Sequence, residues 1–433
     1  MAEVRPFRGV HYNRSIVDDL SEVICPPYDI ITPQMEQELY QRSPYNFVRI
    51  EHNQQLPQDS ATDNRYTRSA AFLEQWLGQG VLVTDSTPAI YLHEHFFSHR
   101  GKEYKRRGII CRVRLEEWHK NIIRPHEGTL AEPKGDRISL LWALKANTSP
   151  ILAMFEDQKQ LISSLLGQQD LGKPGLYSSN DERHNVRAIT EPKVVNELCA
   201  AFSEKPLYIA DGHHRYESAL IYQREQLALS SAVSGEEAFN FVMMTLVDFA
   251  DPGLMILPPH RLLRSLPVSK LSGLMTKLKS FFDTQELPFD MPGVWQRVDE
   301  LLAEKGKIRL VVFGLTGQSL LVLTLRDFSA ASRMMPYFHS ELYKRLDVSV
   351  IDHVILEELL GLASEDEIKI SYNYDREDAV NKVASQEYQL AFIINPVRAE
   401  TIKAIADVGD RMPRKSTYFY PKLPAGLIFN RLV

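Results

Sequence analysis

The sequence predicts an α+β protein built from more than one domain, and three observations predict it. The chain has 433 residues, more than the roughly 150 of a typical single domain. Of these, 44% are hydrophobic and 24% charged, the proportions of a globular chain and not of a disordered, collagenous or coiled-coil one. Apolar runs of strand length alternate with helical patterns along the whole chain, and the proline cluster at Pro258-Pro259-His260-Arg261 separates a first alternation from a second.

Taken in order, Thr32-Pro33 opens a helix through Met35, Leu39 and Tyr40, with Thr32 as cap and Pro33 as first helical residue. Cys25-Pro26-Pro27-Tyr28-Asp29 and Ser43-Pro44-Tyr45-Asn46 punctuate the chain on either side, and a second helix covers Arg65 to Gln79. Ala89 to His95 and Gly108 to Leu115 read as paired strands joined by a polar turn over His99 to Arg107. The basic run in that turn reads as a solvated hairpin tip in preference to a nucleic-acid contact. His93 and His95 share one strand face with His99 nearby, a start for a metal site that no Asp or Cys completes at obvious spacing.

Pro133-Lys134-Gly135-Asp136-Arg137 opens a helix through Leu140, Leu141 and Leu144. A polar segment around Ser178 to His184 precedes a helix near Glu191 to Phe202, the strand Leu207 to Ala210, and a helix carrying Ala219, Leu220, Tyr222 and Leu227. Phe239 to Asp248 is a continuous apolar run, the mark of a buried strand. Beyond the prolines, helices are expected over 271–282, 294–302, 350–360, 377–385 and 398–408, and strands over 308–313, 320–325, 368–374 and 390–394. The second half is therefore α+β or α/β.

Charge and cysteine use exclude several functions. With 50 basic against 56 acidic residues the formal charge is −6, which disfavours wrapping duplex DNA, where Lys and Arg must neutralise phosphates. Cys25, Cys111 and Cys199 are far apart and form no Cys-x-x-Cys pair, so neither a disulfide framework nor a thiolate zinc site is indicated. Residues Met1 to Val10 carry Glu3, Arg5 and Arg8 without an apolar stretch, and no window reaches the roughly 20 apolar residues of a membrane span. A cytoplasmic protein without a membrane or nucleic-acid partner is expected.

Three segments have the residue types that chemistry needs. Leu207-Tyr208-Ile209-Ala210 followed by Asp211-Gly212-His213-His214-Arg215 is a strand turning through glycine into a helix. Such a turn aims unpaired backbone N–H groups outward at the positive end of the helix dipole, where phosphate binds well. Arg215 would add paired hydrogen bonds to phosphate, and Asp211 would hold Mg²⁺ or simply cap the helix. In Arg124-Pro125-His126-Glu127 a proline-held loop presents adjacent His and Glu, suited to a general base or to structure alone. Lys134, Asp136 and Arg137 follow, as loop-ordering ion pairs or phosphate contacts. Met412 to Lys422 concentrates Arg414, Lys415, Ser416, Thr417 and three aromatics, either a packed exposed strand or a seat for a small polar anion.

These residues resemble a known family. Leu207 to Arg215 is similar to the nucleotide-binding signature of the ParB/sulfiredoxin-like superfamily, in the Asp-Gly-His-His-Arg form of free-serine kinases. Their Pro-His-Glu segment is similar to Pro125-His126-Glu127, and their Pro-Lys-Thr-Thr stretch to Pro413-Arg414-Lys415-Ser416-Thr417, with Ser416 where that pattern has Thr. The whole chain, with Pro259-His260-Arg261, also resembles the DUF1015 family. The spacing between the Glu and Asp-Gly motifs is wider than in the kinases, and the first hundred residues have no counterpart there.

The resemblance implies a ParB/sulfiredoxin-like nucleotide-binding part over 1–265, including an N-terminal extension, and a mixed α/β domain over 266–433. It implies phosphoryl transfer from ATP or ADP, with Mg²⁺, to the hydroxyl of free L-serine or a related small molecule, giving O-phosphoserine. Glu127 would be the base, with Asp211 and His126 assisting. Gly212, His213, His214, Arg215, Lys134 and Arg137 would hold the nucleotide, Asp211 the metal, and Lys415, Ser416 and Thr417 the acceptor. The rival readings are a ParB-like nucleotide-hydrolysing switch with a DNA or protein partner, and a non-catalytic nucleotide or amino-acid sensor.

Overall fold

The computed structural model describes residues 2–129, 131–167, 175–179, 182–230, 234–363, 366 and 368–432. The fold is α+β, with helices around several separate sheets. It divides into two compact units, one of Met1–Pro125, Thr129–Met255 and Pro421–Val433, the other of His126–Gly128 with Ile256–Tyr420. Among the described residues no helix is long and apolar enough to cross a membrane.

The first unit is organised by a nine-stranded mixed sheet in the order Ile123–Arg124, Leu207–Asp211, Ile151–Phe155, Phe241–Asp248, Lys102–Arg114, Ile90–His99, Glu182–Ile189 and Gly175–Ser179, with Val4–Arg5 added beside Lys102–Arg114. Both faces are covered, and the side-chain alternation of a strand sorts neighbours to opposite cores. Ile109, Val242, Met244 and Leu246 pack with Leu198, Phe202 and Tyr216, while Ile110 and Met243 pack with Tyr12, Phe47, Trp76 and Phe429. Double-sided burial is why Phe241–Asp248 reads as an unbroken apolar run. Residues Pro421–Val433 return to this unit, where Ala425 bridges Cys25 and Phe429 bridges Val10.

Two expectations for this unit change. The polar turn expected over 99–107 is instead strand on both sides, Ile90–His99 pairing with Lys102–Arg114. The turn shrinks to Arg100-Gly101, both left-handed at φ 50° and 73°, the two-residue geometry that matches strand twist. The polar stretch from Ser178 to His184 falls partly in the strands Gly175–Ser179 and Glu182–Ile189. His184 is drawn in because it stands opposite His95 on the neighbouring strand. Helices lie close to expectation at Pro33–Arg42, Arg65–Gly78, Pro192–Phe202 and His213–Leu229, the first capped by Thr32 onto the Met35 amide.

The second unit carries a six-stranded sheet in the order Phe282–Pro288, Ser319–Leu325, Arg309–Thr316, Leu390–Ile393, His260–Leu263 and Ile370–Asn373. Every pair in it is antiparallel, so the half expected as mixed α/β is α+β by its pairing. The sequence draws its line at 265/266, whereas the strand His260–Leu263 lies inside this second sheet. Val350–Leu359 is wound as a π-helix, with the Leu360 amide bonded to the Ile355 carbonyl. Such windings are rare and often sit at functional sites.

Candidate functional site

In the first unit the strand Leu207–Asp211 ends in Gly212, which caps the helix His213–Leu229 at φ 96°, ψ 29°. Only glycine takes that conformation without strain, and a Cβ there would also meet the Arg215 guanidinium at 3.0 Å. The turn therefore leaves the first amides of a 17-residue helix facing forward. Arg215 folds back one turn: Nη2 donates to Asp211 Oδ2 at 2.7 Å and Nη1 to the Pro150 carbonyl at 2.6 Å. The other carboxylate oxygen, Asp211 Oδ1, accepts from Lys422 Nζ. Burial by itself would raise the Asp211 carboxyl, but the Lys422 ammonium and the Arg215 guanidinium outweigh it and hold the group well below the usual carboxylate range.

That pairing bears on Mg²⁺. Asp211 has the hard oxygen donors magnesium takes, yet both are engaged by cations, and no second carboxylate joins it in a ligand-spaced group among the described residues. In this arrangement Asp211 does not fit a magnesium ion, and its evident partner is Lys422.

The remaining predicted phosphate contacts are engaged with protein groups. Arg137 is buried, donates to Glu51 Oε1 at 3.1 Å and to Asp136 Oδ2 at 2.7 Å, and lies 3.8 Å over the Tyr28 ring. Glu51, wholly buried, also accepts from Thr148 and from Ser149, whose Oγ accepts from Arg215 at 3.2 Å. Arg137 thus props the floor under Arg215. Lys134 donates to Glu217 at 3.0 Å, and Thr129 does so at 2.6 Å. His213 is buried and His214 half-buried at the start of the helix.

The second unit joins two motifs that stand almost 290 residues apart in the chain. Glu127 Oε1 accepts from the amides of Ser416 and Thr417, both at 3.2 Å, and from the Thr417 hydroxyl at 3.0 Å. The Thr417 oxygen lies 3.0 Å from His126 Nε2. Because that hydroxyl gives its one hydrogen to Glu127, His126 is the donor to it. The His126 carbonyl in turn accepts from the Met412 amide. Ser416 is fully buried and its hydroxyl donates to the Pro413 carbonyl, closing the loop. Lys415, between them, is exposed and sits at φ 55°, a strain of roughly 1–3 kcal/mol that persists only where surrounding contacts impose it. The hydroxyls of Ser416 and Thr417, expected on the acceptor, are thus occupied with the loop and with Glu127, leaving Oε2 as the carboxylate oxygen outside that triple contact.

Within the same unit lies a cavity of about 260 Å³ lined by residues that include Gly128, Tyr343, Asp352, Tyr372, Arg414 and Lys415.

The histidine face noted in the sequence gains partners on the neighbouring strand. His95, Glu182 and His184 bring one ligand atom each to within 4.8 Å of one another. Arg106 Nη2 donates to His95 Nδ1 at 3.0 Å, so the proton of a neutral His95 sits on Nε2, directed at Glu182 Oε2 2.6 Å away. The lone pair a metal would need is taken. Burial keeps His95 and His184 uncharged and pushes Glu182 up to about 7. Arg106 also donates to the Pro421 carbonyl at 2.8 Å, immediately before Lys422. Lys422, Arg106 and Glu51 are the residues sequence reading missed. Lys422 was visible at the end of the C-terminal basic segment, while Glu51 and Arg106 carry no local signal.

The class these features define is an α+β protein with a strand-glycine-helix turn in one unit and a clamped carboxylate in the other. Over residues 4–349 the chain matches the family described as protein of unknown function (DUF1015). It belongs to that family. No curated protein matches. Among solved structures the chain is similar to free serine kinase in complex with AMP, at 15% identity over 71% of this chain and 86% of that one, with a TM-score of 0.37. It is also similar to a conserved hypothetical protein from Pyrococcus furiosus, at 15% identity over 73% and 93% with a TM-score of 0.35. SbnI from Staphylococcus aureus, truncated at its C-terminus, matches at 9% identity over 72% and 84%, also with a TM-score of 0.35.

Proposed function

We propose that the protein is a phosphotransferase of the free-serine-kinase type, with a ParB/sulfiredoxin-like nucleotide site, acting from ATP or ADP on the hydroxyl of L-serine or a related small metabolite. The observation that carries this reading is Glu127. A carboxylate seated by two backbone amides and a hydroxyl, with one oxygen left over, is the arrangement a fixed general base needs. The donors for a nucleotide are the amides opening the helix His213–Leu229, with Arg215 and Lys422 as charges.

In the proposed step Glu127 Oε2 takes the acceptor's hydroxyl proton. The acceptor oxygen forms a bond to the terminal phosphorus, the bond from that phosphorus to its bridging oxygen breaks, and the nucleotide leaves one phosphate shorter. Phosphoryl transfer asks mainly for positioning and charge neutralisation. Lys422 and Arg215, the cations at the glycine turn, meet the second need on the nucleotide, and Mg²⁺ bound to that nucleotide would supply further charge neutralisation. His126 acts through Thr417 to orient Glu127.

The test is incubation of purified protein with Mg²⁺, ATP or ADP separately, and hydroxyl-bearing metabolites including L-serine, followed by mass spectrometry. The reading expects a product heavier by one phosphate that disappears in Glu127→Gln. Nucleotide binding or hydrolysis with no phosphorylated acceptor would refute it in favour of a nucleotide switch.

A further inference from the structure

The N-terminal extension ties one buried side chain to the glycine turn of the first unit. Glu51 ends the short helix Val48–Glu51 and is wholly buried. A carboxylate at that depth is costly unless donors replace its water, and three side chains supply them. Arg137 Nη1 and the Ser149 hydroxyl donate to Oε1, each at 3.1 Å, and the Thr148 hydroxyl donates to Oε2.

From Ser149 the network reaches the turn. The Ser149 hydroxyl gives its one hydrogen to Glu51, and its oxygen accepts from Arg215 Nη1 at 3.2 Å. The same nitrogen donates to the Pro150 carbonyl at 2.6 Å, and Nη2 donates to Asp211 Oδ2 at 2.7 Å. The guanidinium also packs against the turn itself, since a Cβ on Gly212 would meet it at 3.0 Å. Arg215 is thus a brace between Asp211, which precedes the turn, and the Ser149-Pro150 backing. Whatever fixes this brace fixes the direction in which the first amides of the helix His213–Leu229 point.

We propose that Glu51 is a positioning residue of the nucleotide site: through the Ser149 hydroxyl it orients Arg215, and through Arg215 it orients the Gly212 turn toward the phosphates. The inference rests on the phosphotransferase reading for what the turn holds, and its test reads binding without turnover. All the residues it uses belong to the first unit.

Isothermal titration of the full chain with ADP and with adenosine separates the phosphates from the rest of the nucleotide. Ser149→Ala removes the relay and leaves Arg215 with Pro150 and Asp211, while Glu51→Gln removes the charge behind it. Each should weaken ADP at least about fivefold, the scale of one hydrogen bond to a charged group, and change adenosine less than about twofold. The double variant should be no weaker than the stronger single one, because both act through one contact. A residue that only supports the fold would lower both affinities together, and Ser149→Ala decides by itself should Glu51→Gln fold poorly.

Equal losses for ADP and adenosine, ADP affinity unmoved in the folded variants, or losses that multiply in the double variant overturn the inference and leave the phosphotransferase reading standing. The expected losses without any phosphorylated acceptor keep Glu51 as a positioning residue of a nucleotide site and overturn the phosphotransferase reading. ADP bound no tighter than adenosine by the unmodified protein overturns both.

Discussion

Replacing Glu127 by glutamine separates chemistry from architecture at the clamped carboxylate. Three donors converge on Oε1, the Ser416 and Thr417 amides and the Thr417 hydroxyl. A glutamine side chain must therefore place its carbonyl oxygen there, which puts its NH₂ where Oε2 stood. The loop keeps every hydrogen bond and the site loses its proton acceptor. A positioned general base contributes about 10²–10⁴ in rate, or about 2.7–5.4 kcal/mol at 1.36 kcal/mol per decade. Single-turnover phosphotransfer should slow by that factor, with the thermal midpoint and nucleotide affinity unchanged. Glu127→Ala instead strands the three donors at a cost of about 1–3 kcal/mol, some 2–4 °C per kcal/mol in a unit of this size. Glu127→Gln turning over within about threefold of the unmodified protein would remove Glu127 from the mechanism, and a lowered midpoint in that variant would show the clamp described wrongly.

Gly212→Ala forces a side chain into φ 96° and to 3.0 Å from the Arg215 guanidinium; nucleotide affinity should fall at least about tenfold in a titration, with about 1–2 kcal/mol lost in urea unfolding. Lys422→Met leaves Asp211 with Arg215 alone, so turnover should drop, and stability should fall by about 1–3 kcal/mol. The Asp211 carboxyl is held low in the fold, so its contribution is present above the unfolded value near 4 and lost as the pH falls through the lower folded one; in Lys422→Met the folded value moves up toward the unfolded one, so that loss should be smaller and complete at higher pH in acid-unfolding curves. Asp347 behaves in the opposite sense. Burial pushes it up to about 7, so between about pH 4 and 7 the unfolded chain has released a proton the folded chain retains, and stability declines as pH rises, by on the order of 2–4 kcal/mol. Asp347→Asn should flatten that slope in urea midpoints taken at pH 5 and pH 7.5.

What the sequence made legible was local. The Thr32-Pro33 helix start, the strand-Gly-helix turn at Gly212 and the buried run at Phe241–Asp248 are each set by chemistry within a few residues, and the structure has all three. The hairpin at Arg100-Gly101 was misplaced because charged residues from 102 to 107 look like loop. Alternation along a strand whose far end reaches solvent produces the same composition. Arg137 shows a different limit. A basic residue just after a loop is equally suited to phosphate or to an internal carboxylate, and the deciding partner, Glu51, lies 86 residues away. The roles of Ser416 and Thr417 were hidden for the same reason, since a hydroxyl's partner is not written in its neighbours.

The functional groups of both units depend on one stretch of chain. Met412, Ser416 and Thr417 hold His126 and Glu127 in the second unit, while Pro421 and Lys422 engage Arg106 and Asp211 in the first. These contacts close loops of more than 200 residues, and loop-closure entropy delays such contacts until the intervening structure has formed. The carboxylates at 127 and 211 therefore acquire their charge partners only when residues 412–422 dock. Until then Asp211 has Arg215 alone, and Glu127 lacks all three donors that seat it. Clamping both carboxylates from one segment ties the glycine turn and Glu127 to a single folding event, so a fragment ending before residue 412 would lack both assembled groups together with the Leu427, Ile428 and Phe429 side chains that pack in the core of the first unit.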